Sequence, residues 1–157
     1  MGTLYQYYPN KQSLLFAVLE HHLSNVAARV EAACESACRK PLAEMIREMV
    51  EAFVDAKMQR AEVSVALYRV SADAGGPALI KRINQRLQKA VEAMLQTTPD
   101  ANLPPDKFAI NIMLAAMAGA MRSLLEAGPT AATVRKSREQ LVLLCQSYMA
   151  AATAKGV

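Results

Sequence analysis

"GTLYQYYPNKQSLLFAVLE", residues Gly2–Glu20, holds three of the chain's five tyrosines, Tyr5, Tyr7 and Tyr8, followed at once by Pro9, Asn10 and Lys11. Asn10 is a good helix N-cap, because its side-chain oxygen takes one of the backbone N–H groups that a first helical turn leaves unpaired. From there Leu14, Leu15, Val18, Leu19, His22, Leu23, Val26 and Val30 recur at steps of three and four, which puts them on one face of a 3.6-residue helix. The stretch thus predicts a turn that opens a long amphipathic helix of about six or seven turns. By itself, the aromatic cluster reads as a staple closing that turn onto the helix. The helix blurs through Cys38 and ends at "RKP", Arg39–Pro41.

The same period governs the rest of the chain, and no strand alternation of useful length appears. Pro41 sits where a first helical turn tolerates it, and Leu42, Met45, Ile46, Met49, Val50, Phe53 and Val54 draw the next stripe, to about Met58. A shorter helix with Val63, Val65, Ala66, Leu67 and Val70 is broken by "DAGGP", and another runs from Pro77 to the loop "TTPDANLPP". The last two helices differ in texture. "DKFAINIMLAAMAGAMRSLLEA", Asp106–Ala127, is apolar nearly all round, and the helix from about Ala131 to Ala154 carries Leu141, Leu144, Cys145, Tyr148, Met149 and Ala152 behind a charged start. Joined by "GPT", the two should pack antiparallel, and their apolar excess points to self-association as a closed two-fold dimer.

The 157 residues suffice for one domain with a sizeable core, and 53% apolar against 20% charged composition excludes a disordered chain. A formal charge of +4 suits an anionic partner without the dense basic blocks of a nucleic-acid tail. Cys34, Cys38 and Cys145 are an odd number with no secretory signal, so a reducing cytoplasm is expected rather than a disulfide framework. No run of about 18 purely apolar residues predicts a membrane span. The expectation is a soluble protein with no membrane partner.

No Gly-rich phosphate loop, nucleophile elbow or metal-spaced acidic cluster is present, so no enzyme, cofactor or metal site is expected. Cys34 and Cys38 lie one turn apart but lack the further ligands that a zinc site needs. His22 lies on the apolar stripe and reads as a satisfied core or boundary histidine rather than a ligand. Methionines across the central helices suit either core filling or a permissive pocket. The second reading puts Met49, Phe53, Leu67, Tyr68, Met94, Met113 and Met117 around a cavity for a hydrophobic small molecule.

The opening stretch resembles the most recognisable segment of the TetR/AcrR transcriptional regulators: the second half of the recognition helix, the turn after it, and the start of the long helix linking the DNA-binding head to the body. The resemblance is specific over about twenty residues; beyond them the chain agrees in helix number and order. It implies an all-α, TetR-type body of about six helices plus a remnant of the recognition helix. Residues 1–10 would be that remnant, and 11–157 the ligand-binding and dimerisation domain. By resemblance Gly2, Thr3, Tyr5, Gln6, Tyr7 and Lys11 would meet operator DNA, with Lys11 at a phosphate beside a positive helix end, while Leu4 and Tyr8 would pack inward. The family's last two helices form a four-helix dimer bundle, which places Ala116, Ala120, Leu124, Leu141, Leu144 and Tyr148 at a homodimer interface. Because the chain starts with the recognition helix half over, it is expected not to bind an operator tightly as given. The resulting expectation is a cytoplasmic, ligand-responsive regulator, most simply a repressor released from DNA by a hydrophobic effector. The alternative is a headless helical dimer that binds such a ligand, or an intact repressor, without touching DNA.

Overall fold

The computed structural model of the protein describes residues 10–70, 75–100 and 106–154, and all regular structure among them is helical. The helices are α1 (Lys11–Ala37), α2 (Leu42–Met58), α3 (Ala61–Val70), α4 (Gly76–Leu95), α5 (Lys107–Glu126) and α6 (Ala131–Ala154). The all-α reading of the periodicity holds, and the bounds of α2 and α6 fall where the apolar stripes predict them.

The cap at Asn10 forms as the sequence suggests. Its Oδ1 accepts from the Ser13 N–H at 2.8 Å, and its own N–H donates to Ser13 Oγ at 3.4 Å, so two otherwise orphaned donors are satisfied reciprocally. α1 stops at Ala37, and Arg39 takes a left-handed φ of 67°, a conformation that a side chain with a Cβ adopts only when held there. The hold comes from the loop after α4. Arg39 N–H donates to Thr97 Oγ1 at 2.8 Å, and Leu42 N–H donates to Asp100 Oδ1 at 2.9 Å. Pro41 is consequently the N-cap of α2, with extended ψ of 147°, rather than a member of its first turn.

α1 packs along α2 and α4, α2 packs on α6, and α5 lies against α4 and α6, with α3 between α1 and α5. Glu31 accepts two hydrogen bonds from Arg86, at 3.0 and 2.7 Å, and Glu20 pairs with Arg82, so two ion pairs tie α1 to α4. Arg138 donates to Asp55 at 2.5 Å and ties α6 to α2. Gly75, the N-cap of α4, has a φ of 90°, and a Cβ there would lie 3.0 Å from the Phe16 ring of α1. Both the backbone conformation and the close approach require glycine at this position.

α5 is the one described helix long and apolar enough to cross a membrane by length and hydropathy. Its face formed by Ala109, Ile110, Met113, Met117, Met121 and Leu125 is buried in the protein's own core. The other face is exposed and still apolar: Phe108 is 70% exposed, and Ile112, Ala116 and Ala120 are also open. On α6, Leu143 and Leu144 are exposed, the latter by 50%. Leu124 and Tyr148 are half-buried. Leu141 departs from its expected interface position, being only 4% exposed within the protomer. It lies three residues from Leu144, on the side of α6 that packs into the core with Val142 and Cys145.

Candidate functional site

A cavity of about 260 Å³ opens between the middle of α1, the C-terminal end of α2, the first half of α4, the middle of α5, and α3. That volume is a little below the roughly 300–1,000 Å³ usual for small-molecule sites. Most of its wall is apolar: Leu19, Leu23 and Val26 come from α1, Ile80, Ile83 and Leu87 from α4, and Leu114 and Met117 from α5. Ala118 and Gly119 border it as well, so the α5 backbone comes close to the space.

Polar groups interrupt the apolar wall, and all of them but Asn84 are linked to one another at one end. His22, Lys57, Ser64, Tyr68, Asn84 and Arg122 all line the cavity. His22 Nε2 and Ser64 Oγ share a buried hydrogen bond of 2.8 Å, and Ser64 Oγ also lies 3.4 Å from the Lys57 carbonyl oxygen. The histidine expected to be a satisfied core residue does have its partner, and it also faces the cavity. Burial, reinforced by the positive charges of Lys57 and Arg60, pushes its pKa down to about 4, so the ring is neutral at pH 7.

Lys57 is 6% exposed. Its ammonium stands 5.9 Å from the centre of the Phe53 ring and 5.4 Å from that of Tyr68, and burial pushes its pKa down to about 8. Arg122 stands over the same tyrosine at 5.2 Å while its Nε donates to Glu126 at 2.8 Å. Burial raises the Tyr68 pKa, with Arg122 opposing. This end of the cavity is therefore rich in cations and ring faces.

Of the residues expected around a pocket, Phe53, Tyr68 and Met117 line it. Met49, Met94 and Met113 do not; they are fully buried in the core. Met49 and Met113 lie one helical turn before Phe53 and Met117, and Met94 lies two turns beyond Leu87, so all three close the core at a different level along the helices. The side chain of Leu67 lies outside the described residues, as do Gly2, Thr3, Tyr5, Gln6 and Tyr7. Lys11 is exposed in the first turn of α1.

The periodicity passed over Lys57, Ser64, Asn84 and Arg122. A signal for Lys57 existed: it stands four residues after Phe53 and seven after Val50, on the apolar stripe of α2. A charge in a stripe position points to a boundary with something other than packed hydrocarbon.

The sequence model of the "Tetracyclin repressor-like, C-terminal domain" family matches residues 41–149, from the start of α2 to near the end of α6. The chain belongs to this family. No curated protein matches it. The TetR-like assignment made from the opening nineteen residues is thus reached again from a span that excludes them. The TetR family is one of ligand-responsive regulators, and its C-terminal domains are in general ligand-binding and dimerising rather than enzymatic. In this TetR-family member α2 to α5 supply most of the cavity wall from within the matched span, and α1 closes it from outside that span.

Proposed function

We propose that this chain is the sensing and dimerising body of a cytoplasmic TetR-type transcriptional regulator, a repressor, whose DNA binding is released when a hydrophobic small molecule occupies the cavity. The observation that carries the reading is the position of the cavity: its wall includes Leu19, His22, Leu23 and Val26 of α1, the helix that continues directly from the stretch resembling a recognition helix. A ligand wedged between α1 and α4 has differential contact with two positions of α1, which is what a shift between two states needs. In a dimer, moving both copies of α1 changes the separation of two heads that must meet major grooves about 34 Å apart. Gly2, Thr3, Tyr5, Gln6 and Tyr7 would supply contacts to operator DNA, and Lys11 a phosphate contact. α5 and α6 would form the homodimer through Ala116, Ala120, Leu124, Leu144 and Tyr148.

Two experiments test the two halves of the proposal. Calorimetric titration of apolar compounds into the wild type and into Met117→Trp, which fills the cavity, should show binding lost in the variant; undiminished binding would place the ligand elsewhere. Reading the gene upstream of Met1 tests the DNA half. An open frame encoding two further polar, basic helices supports the regulator, and an in-frame stop codon immediately upstream supports a ligand-binding dimer without DNA.

A further inference from the structure

Lys57 is a cation set among apolar groups, and no acid among the described residues pairs with it. Every ion pair formed among the described residues uses another cation: Asp55 is taken by Arg138, Glu126 by Arg122, and Glu20 and Glu31 by arginines of α4. Two polar groups of the same lining, His22 and Ser64, satisfy one another. What remains around the ammonium is the faces of Phe53 and Tyr68 and the cavity itself.

A buried cation is retained at low cost only when an opposite charge completes it. Here the place for that charge is the ligand space. We infer that the cavity takes a small amphipathic carboxylate, with its head group at Lys57 and its apolar tail along Leu23, Val26, Leu87 and Met117. The inference rests on the proposed ligand-binding role and narrows its effector from a hydrophobic molecule to an anionic one.

A carboxylate suits the site better than a phosphate. The polar end offers one unpaired compact ammonium, while Arg122, the group able to grip a phosphate bidentately, is engaged with Glu126. The space of about 260 Å³ is small for a ligand site. A chain of about eight carbons fits that space better than a long fatty acid.

Octanoate and octanamide, which share shape and differ in charge, make the test. Each is titrated calorimetrically at pH 7 into the wild type, Lys57→Met and Lys57→Arg. The wild type should bind octanoate roughly ten-fold tighter than octanamide, as expected for one charge-assisted contact. Lys57→Met should lose that preference while still binding octanamide, and Lys57→Arg should keep it. Equal binding of the two compounds by the wild type would overturn the inference and leave an apolar effector site standing, as would an undiminished preference in Lys57→Met. Should Lys57→Met fail to fold, the wild-type comparison still decides. Binding of neither compound would overturn the anionic inference, and failure of a wider set of neutral apolar compounds as well would overturn the effector site.

Discussion

The ammonium of Lys57 lies 5.4 Å from the centre of the Tyr68 ring. A cation over an aromatic face gains about 0.5–2 kcal/mol, whereas withdrawing a charge from water costs several kcal/mol even after the protein relaxes. The rings therefore offset only part of the burial, and no acid among the described residues offsets the rest.

The folded-state pKa of Lys57 is about 8 against an ordinary 10.5, so between those values the unfolded chain binds more protons and stability rises with pH. Below pH 8 both states are protonated and the full cost is present; above 10.5 it is gone. The gain should reach up to roughly 3 kcal/mol across the window. Lining the same cavity as Lys57 are His22 of α1, Ser64 and Tyr68 of α3, Asn84 of α4, and Arg122 of α5, whose partner is Glu126. Cys34 and Cys145 act in the opposite sense, since burial raises their thiols to about 12 and 11 and makes folding less favourable as pH passes 9. Comparing urea denaturation of the wild type with Lys57→Met removes that background. The variant should be the more stable at pH 7, with the difference shrinking toward pH 10.5. A constant difference would mean that the ammonium is not destabilised by burial.

His22 supplies a second reading of the same end of the cavity. Its folded pKa of about 4 lies below the ordinary 6.5, so the unfolded state binds more protons between those values. Stability present above pH 6.5 is then lost progressively as pH falls to 4. In a nuclear magnetic resonance titration the His22 ring carbon and proton should shift with a midpoint near 4. Ser64→Ala should lower stability by about 1–3 kcal/mol, because it strips a buried ring nitrogen of its partner. A His22 midpoint near 6.5 would show the ring in contact with water.

At the start of α4, Gly75 carries two separable constraints. Gly75→Ala should destabilise by about 1–3 kcal/mol, from the positive φ and from the contact with Phe16 together. Repeating the substitution in a Phe16→Ala background relieves only the contact, so the cost should fall but not vanish. Thermal denaturation of the four proteins completes the cycle. Equal costs in the two backgrounds would assign the whole effect to the backbone.

The helices and the faces they bury were legible because period is a property of neighbours in sequence. Met49 and Phe53 show the boundary of that method. They lie on the same face of α2, and the period cannot tell that Phe53 opens on the cavity while Met49 is sealed beneath it; that depends on where α1, α4 and α5 stop packing tightly. Ser64 was invisible for a similar reason, since its role comes from His22, forty-two residues away. Lys57 was visible in principle as a charge within an apolar stripe. Its burial follows only once α3 and α5 bring Tyr68 and Met117 to the same space. Leu141 and Leu144 make the same point for α6: both are apolar positions in its second half, yet one faces the core and the other faces out.

Phe108 and Ile112 on α5, with Leu143 and Leu144 on α6, are large apolar side chains exposed on two helices that pack side by side. Single exposed apolar residues are ordinary, but a cluster of this kind on adjoining elements marks an interaction surface. In the proposed homodimer the two helices of each copy would make a four-helix arrangement, and a two-fold interface is self-complementary, so each substituted residue is introduced twice. Ile112→Arg combined with Leu144→Glu should therefore convert a dimer to a monomer in sedimentation equilibrium, with circular dichroism unchanged because neither position belongs to the buried core. Leu141→Ala should behave differently. It opens a cavity inside the protomer and should cost about 2–5 kcal/mol while leaving the outward face intact. If Leu141→Ala dissociated the dimer without loss of stability and the double variant remained dimeric, the interface would lie on another face of the body.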